Sequence, residues 1–364
     1  MFHNFMDNIG GAEMVTLTLA RELKADIYTT NIDSQKIEQM GFVDVIPRII
    51  SLGKIPKNAP FRHQLTLWKF RRLNLEKRYD FYIISGDWAM SGVVNNKPNL
   101  WYVHSPLNEL WEFKNYIRSE WLPWWKRPLF DIWVMVNRHL TLRYANYVEN
   151  WVCNSINSKK RIKKYYKKEA QVIYPPIYTK NYAYRSHKNY WLSVNRLTPH
   201  KRIDIQMQAF SKIPHENLII VGSYEKGANQ FEETKKYIEG IKPNNVNILS
   251  WVSDEKLKML YAECKGLITT SKDEDFGMTA VEAMASGKPV IAPDEGGYRE
   301  SVIHNETGIL IDSIDTQKLT EAIKHLSLHV GDNPDYHRKE CEAQAQKYDT
   351  ATFISKIKEL IEKK

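Results

Sequence analysis

Short runs rich in β-branched and aromatic residues alternate with longer amphipathic stretches along this chain, and the alternation occurs twice. The first series predicts strands over Asp26–Thr30, Asp80–Ser85, Asn99–His104, Tyr147–Asn154 and Gln171–Tyr174, with helices such as Ala12–Lys24 and Asn157–Lys168 between them. Tyr174-Pro175-Pro176-Ile177 then interrupts the pattern, because proline has no amide hydrogen and pushes the residue before it out of the helical region. The second series predicts strands over Tyr190–Asn195, Leu218–Gly222, Val246–Leu249, Gly266–Thr270, Pro289–Pro293 and Gly308–Ile311. Strands separated by helical stretches of about 10–15 residues form parallel sheets covered on both faces. The fold expected is α/β, two Rossmann-like domains facing each other across a cleft. Ligands of such sheets sit outside the carboxyl ends of the strands.

Length and composition agree with this. At ~150 residues per domain, 364 residues give two or three domains. Hydrophobic residues at 43% and charged residues at 26% exclude a disordered or fibrous chain. No apolar run reaches the roughly 18 residues that cross a bilayer. The start, MFHNFMDNIGGAE, lacks the basic and then apolar stretches of a secretory signal. Only Met1–Phe5 is available for the strand that should precede Gly10-Gly11, so a truncated start is expected. Cys153, Cys264 and Cys341 are too dispersed for a zinc or disulfide framework and fit a reducing, cytoplasmic setting.

The net charge of +9 is unevenly placed. Residues 1–175 carry 26 Lys and Arg against 16 Asp and Glu, whereas residues 176–364 carry 26 against 27. The same first half holds 9 of the 11 tryptophans. Cations and aromatics mix in Arg62–Arg78, Trp121–Tyr144 and Ser158–Lys168. For any one segment, tryptophans in a core beside a solvated basic face would be a sufficient account. Together they fit a surface lying on anionic lipid, where each cation contributes ~1 kcal/mol. Nucleic acid also matches the charge, but no module that binds it is present, so none is expected as a partner.

The most specific stretch is Asp273–Pro289, DEDFGMTAVEAMASGKP. A polar loop, Ser271–Phe276, follows a predicted strand, and Gly277 opens a helix over Met278–Ser286. The unpaired amides of that first turn, around Gly277, Met278 and Thr279, form a ready anion site. Glu274 lies before them and Glu282 one turn beyond, so a loop acid, an amide nest and a helix acid can grip three consecutive parts of one ligand. An isolated glutamate pair is more often solvated surface charge; Gly277, Gly287 and Pro289 at this spacing argue against that here. A second constellation, Ser193–Arg202, follows the first strand of the second series. Arg196 and Lys201 lie five residues apart across a turn, and Arg202 could substitute for either. Positive charge at a helix start is mildly unfavourable, which favours an anionic ligand. Gly10-Gly11 opens the first helix and lets backbone approach a ligand, although a glycine pair alone is a weak signal. His104 ends a strand on the carboxyl side, where a lone histidine would ordinarily be structural.

With its acids at Glu274 and Glu282 separated by seven residues, and FGMTAVEAMASGKPVIA around them, the sequence resembles the retaining glycosyltransferases of family 4, of the two-domain GT-B type. The resemblance covers nearly the whole chain and is strongest from Trp191 to Ile311. It implies an N-terminal acceptor domain over 1–180, a nucleotide-sugar donor domain over 181–348, and a final segment, 349–364, whose helix crosses back to the first domain. It implies that Glu274 contacts the transferred sugar, Glu282 the nucleotide ribose, and Arg196 and Lys201 the donor diphosphate. Gly10, Gly11, Gly222, Phe276, Gly277, Met278 and Thr279 would line the donor, His104 would touch the transferred sugar, and Gly296-Gly297 would form a lining turn. Base recognition would come from backbone near Gly222–Tyr224 and Ser250–Val252. SVNRLTPHKRI, KDEDFGMTAVEAMASGKPV and YVHSP look most like mannosyltransferases that use GDP-mannose in surface-polysaccharide assembly. The acceptor implied is a saccharide, lipid-linked in this reading, met by a peripheral enzyme on the inner membrane face.

Arg196, Lys201 and helix amides neutralise the diphosphate in this reading, so Asp273-Glu274-Asp275 is not taken as a metal site and no metal or other cofactor is expected. The first strand has no G-x-G-x-x-G after it, against a nicotinamide dehydrogenase. The mechanism expected is front-face displacement, with the leaving diphosphate taking the acceptor proton while Glu274 and His104 hold the sugar. A nucleotide-sugar epimerase of the same architecture and a non-catalytic membrane scaffold are the competing readings.

Overall fold

The computed structural model describes residues 1–364 apart from 9, 58–60, 77, 223–230, 251 and 364, and gives only the backbone of 231 and 232. The chain divides into two compact units, Met1–Tyr174 with Ile354–Lys364, and Pro175–Phe353. The division falls inside the Tyr174-Pro175-Pro176 interruption. The last helix, Thr350–Glu362, begins in the second unit and groups with the first from Ile354 onward.

In the first unit, β1 (Ile27–Thr29) pairs with β2 (Ile49–Ser51), and β3 (Tyr82–Ile84), β4 (Asn99–Val103), β5 (Asn150–Cys153) and β6 (Gln171–Val172) pair in that order, all parallel. The amino-terminal segment joins the two sets. Phe2 bridges both Tyr28 and Ile84, with its amide donating to Ile83 O at 2.9 Å and that of His3 to Tyr28 O at 3.1 Å. Met1–Met6 thus occupies the strand position ahead of Gly10-Gly11. Strand β2 is three residues long and follows a turn containing Pro47, too short for an alternating pattern to mark it in the sequence. The tryptophans of this unit part into two groups. Trp88, Trp101 and Trp151 are buried and Trp111 and Trp133 pack against the same core, whereas Trp68, Trp121, Trp124 and Trp125 are exposed.

In the second unit one six-stranded parallel sheet has the order β12-β11-β10-β7-β8-β9, from β7 (Trp191–Val194), β8 (Leu218–Val221), β9 (Val246–Leu249), β10 (Leu267–Ile268), β11 (Val290–Pro293) and β12 (Gly308–Ile311). The runs LIIV and VIAP are apolar throughout because both faces of the sheet are covered. Helix Ile203–Ser211 presses Met207 and Phe210, both fully buried, onto the core that Trp191 and Ile220 share. Phe210→Ala is worth about 3–5 kcal/mol of stability there. The chain runs outward from β7 to β9 and then returns to place β10 on the other side of β7. The β7/β10 junction is therefore where the strand order reverses, and the crevice beyond such strand ends is where open α/β sheets take ligands.

Candidate functional site

The segments after β7 and β10 hold the second unit's predicted residues apart from Gly222, and the two segments are bonded to each other. Lys201 ends a short Pro199–Lys201 turn and donates from Nζ to Glu274 Oε2 at 2.5 Å and to Ser271 Oγ at 3.1 Å. Ser271 Oγ donates to the same carboxylate oxygen at 2.5 Å. Burial by itself would raise the Glu274 carboxyl, but the Lys201 ammonium and these hydrogen bonds outweigh it and bring it down to about 2. His200, beside the pair, is pushed down to about 4 by burial and by Lys201. At neutral pH the carboxylate is ionised and the imidazole neutral. Lys201 and Glu274, expected to meet neighbouring parts of one ligand, meet each other.

Backbone fixes this arrangement from two sides. Lys272 N donates to His200 O at 2.8 Å, and Thr270 Oγ1 to Lys201 O at 2.6 Å, which ties the acidic loop to the Lys201 turn. Gly297 N donates to Glu274 O at 2.8 Å. A Cβ on Gly296 would lie 2.4 Å from Glu274 O, and one on Gly297 2.3 Å from Phe276 Cα. The Gly296-Gly297 turn therefore supports the acidic loop by an approach only glycine permits. Arg202 is committed elsewhere: Nε donates to Thr270 O at 2.6 Å and the guanidinium pairs with Glu295. Arg196 is exposed in the segment after β7, near enough to His200 to lower it further.

Gly277 caps helix Met278–Ala285 at φ +85°, with no side-chain cap. Phe276 and Gly277 are buried while Met278 and Thr279 are half-buried; Ala280 N donates to Gly277 O at 3.0 Å, and the amides ahead of it lie before any i−4 carbonyl of the helix. Glu282 lies on the second turn. Burial raises its carboxyl, opposed by Tyr261, whose hydroxyl donates to Oε2 at 2.7 Å, and by a hydrogen bond from Tyr182. Neither tyrosine had a local signature: they come from the helix before β10 and from the link before β7. Gly222, at the end of β8, backs onto β7, since its Cβ would sit 1.7 Å from Asn195 O. Tyr224 and Trp251, within the stretches assigned to base recognition, lie outside the described residues. No group of three or more His, Cys, Asp or Glu side chains among the described residues is arranged to hold a metal ion.

The first unit's predicted residues form a separate cluster. His104 follows β4, and its Nε2 lies 2.8 Å from Ser85 Oγ, which lies 2.7 Å from Thr16 Oγ1. Thr16 has a single hydroxyl hydrogen and donates it to Ala12 O at 2.8 Å. Ser85 must then donate to Thr16 and His104 Nε2 to Ser85, so the neutral ring carries its proton on Nε2 and presents Nδ1 as an acceptor. Burial and the neighbouring His3 push the His104 ring down to about 3, which keeps it neutral. His3 continues the network, with Nδ1 3.2 Å from Thr16 Oγ1 and Nε2 3.9 Å from Glu13. Gly10 is the extended residue before helix Gly11–Leu23, and a Cβ there would lie 2.6 Å from the Glu13 carboxylate. That carboxylate folds back over the helix start, a flexible side-chain end that a Cβ would displace; Gly11 is exposed.

The description Glycosyl transferases group 1 matches residues 176–358, half of the chain. The O-antigen chain mannosyltransferase RfbU of Salmonella typhimurium is 30% identical over 158 residues, 43% of either chain. The alpha-1,3/1,6-mannosyltransferase ALG2 of Candida glabrata is 26% identical over 261 residues, 58% of this chain and 54% of its own. The chain thus spans about half the length of these curated relatives. Among solved structures, Anabaena Alr3699/HepE in complex with UDP and glucose superposes with a TM-score of 0.75 at 20% identity, over 99% of this chain and 98% of that one. Such structural relatives carry the GT-B fold.

Proposed function

Because the chain belongs to the glycosyl transferases group 1 family, we propose that it is a retaining hexosyltransferase that moves mannose from GDP-mannose to a lipid-linked saccharide at an anionic membrane surface. The observation that carries this reading is the Lys201–Glu274 contact at the β7/β10 switch point. A nucleoside diphosphate sugar brings an anion for Lys201, Arg196 and the amides of Gly277–Thr279, hydroxyls for Glu274, and a ribose diol for Glu282. Each charge-assisted contact is worth about 1.5–3 kcal/mol. When the diphosphate engages Lys201, the Glu274 carboxylate turns from its internal partner to the sugar hydroxyls.

Transfer then proceeds on one face of the sugar. The bond from the anomeric carbon to the diphosphate oxygen breaks, the acceptor oxygen bonds to that carbon from the same side, and the acceptor proton passes to the departing diphosphate. Lys201 and Arg196 stabilise the charge that builds up there, without a metal ion. His104 accepts a hydrogen bond from a sugar hydroxyl at Nδ1. The mannosyltransferase relatives favour mannose, and the solved structure bound to UDP and glucose favours a UDP-hexose as the second reading.

Thermal unfolding with GDP, UDP, GDP-mannose and UDP-glucose, each with and without EDTA, separates the two. A ligand at 100 times its Kd stabilises by ~2.7 kcal/mol. Stabilisation by GDP and GDP-mannose, unaffected by EDTA, supports the proposal; response to the uridine pair alone transfers it to UDP-hexose; response to none overturns it. Conversion of donor without any acceptor would identify an epimerase instead.

A further inference from the structure

Helix Arg127–Ala145 is apolar on both sides: Val134, Tyr144 and Ala145 belong to the core of the first unit, with Phe130, Trp133 and Leu140 packed against it, and further aliphatic side chains face outward. Along its length Leu129, Ile132, Met135, Val136 and Leu142 are exposed, Leu129 at 65% and Met135 at 64%. Their spacing of three, three, one and six residues puts them on one side. The opposite, core-facing side also carries two polar residues, Asn137 and Thr141, each 1% exposed. Asn137 Nδ2 donates to Trp133 O, Thr141 Oγ1 to Asn137 O, and Gln64 of the neighbouring helix to Asn137 Oδ1, all at 2.8 Å. These two polar groups are satisfied inside, while on the outward side the aliphatic side chains, with His139 and Arg143 among them, stand in water, where apolar patches mark interaction sites.

Just ahead of the helix stand Trp124, 78% exposed, and Trp125, with Lys126 Nζ 4.9 Å from the Trp125 ring centre. Arg127 anchors this corner by donating to the Leu122 and Ser119 carbonyls. Lys126 and Arg143 bracket the apolar side as exposed cations. Asp131, an acid of the same helix, is neutralised by Lys114 at 3.2 Å and Arg118 at 2.8 Å; Glu120 precedes the corner.

We infer that the outward side of helix Arg127–Ala145, with Trp124 and Trp125 at its start, is the face by which this protein sits in the interfacial layer of an anionic bilayer. This rests on the reading that the acceptor is membrane-borne, and it names the face that meets the lipid. A helix lying in the interface buries one apolar side at the level of the acyl chains, keeps its cations beside anionic headgroups, and carries amphipathic aromatics at the boundary. A second copy of the chain is the competing occupant. Charge disfavours it, because a two-fold contact would set the cations of one strongly basic unit against those of the other. No helix among the described residues is long and apolar enough to cross a membrane, so contact is from one side.

The experiment is co-sedimentation of the full chain with phosphatidylcholine vesicles and with vesicles containing 30% phosphatidylglycerol, at about 0.05 and 0.5 M salt. The wild type binds the anionic vesicles and loosens at high salt. L129E/I132E/M135E, with substitutions only at exposed positions, binds them at least about tenfold more weakly. Brominated lipid quenches tryptophan emission in the wild type, and W124F/W125F loses that quenching; this arm stands even if the triple variant fails to fold. Equal vesicle binding by wild type and a folded triple variant overturns the inference, as does an unquenched wild type. Sedimentation velocity showing a wild-type dimer that the triple variant abolishes, without vesicle binding, assigns the face to a second copy and also overturns it. Transfer to a water-soluble acceptor without lipid tests the catalytic reading separately: a protein that binds vesicles but transfers no sugar refutes that reading and leaves this one.

Discussion

The second unit holds its candidate site by opposite charges and the first by neutral groups passing hydrogen bonds in one direction. In the second, Lys201 and Glu274 form an ion pair, which the proposed function has both members leave to receive a ligand. In the first, His104 is fixed by hydroxyls of Ser85 and Thr16 and stays neutral through burial. An ion pair exchanged for a ligand's own charges suits a site that binds and releases an anion. A ring with a fixed tautomer suits a group that must offer one acceptor and never become a competing cation.

If charge governs the second unit, Lys201→Ala has the largest effect. It removes a donor where leaving-group charge builds up, and the transfer rate falls about 10²–10³-fold in steady-state assays, with the fold intact by circular dichroism. Glu274→Gln keeps the shape and loses the charge. Donor turnover falls roughly 10–100-fold, the range of one charge-assisted hydrogen bond. A variant of either kind that turns over at the wild-type rate breaks the comparison on the charged side.

The neutral side is sharpened by Ser85. Ser85→Ala leaves His104 Nε2 without its acceptor, lowers kcat about tenfold and changes KM for the donor little, while Ser85→Thr restores most of the rate. A nitrogen-15 spectrum of the imidazole ring reads the tautomer directly, with Nε2 protonated in the wild type and mixed forms in Ser85→Ala. Tyr261→Phe is milder. Removing one of the hydroxyls on Glu282 raises KM for the nucleotide sugar about two- to tenfold and leaves kcat near wild type.

The smallest effect is on stability against pH. His104 at about 3 and His200 at about 4 lie below the ordinary value of 6.5, so the unfolded chain binds more protons than the folded one between those limits. Their stability is fully present above pH 6.5 and is lost as pH falls through the folded values. Glu274, at about 2 against 4.5, acts in the same direction, but only below pH 4.5. Chemical denaturation from pH 8 to 5 should therefore show a fall that His104→Asn partly removes and Glu274→Gln does not.

The same contrast decides what the sequence displays. Glu274, Gly277 and Glu282 lie within nine residues, and Arg196 and Lys201 within six, because strand-end loops deliver their side chains locally. The β7/β10 register then brings the two stretches together. His104 could be placed at a strand end, but its partners could not: His3, Glu13, Thr16 and Ser85 come from three other segments, and only the pairing of Met1–Met6 between β1 and β3 assembles them. Tyr182 and Tyr261 reach Glu282 in the same non-local way. The sequence predicts the Gly296-Gly297 turn as a lining element, whereas its support of the acidic loop depends on a backbone approach that no residue pattern encodes. The paired tryptophans and cations of Trp121–Tyr144 were visible as composition; which side of the helix faces outward needed the packing of Asn137 and Thr141.

Isothermal titration of wild type and Lys201→Ala with GDP-mannose, without divalent metal, tests the central claim most directly. The account predicts saturable one-site binding by the wild type and at least a tenfold loss of affinity in a folded Lys201→Ala. Equal affinity in the two proteins, or no binding of any nucleotide sugar by the wild type, would contradict it.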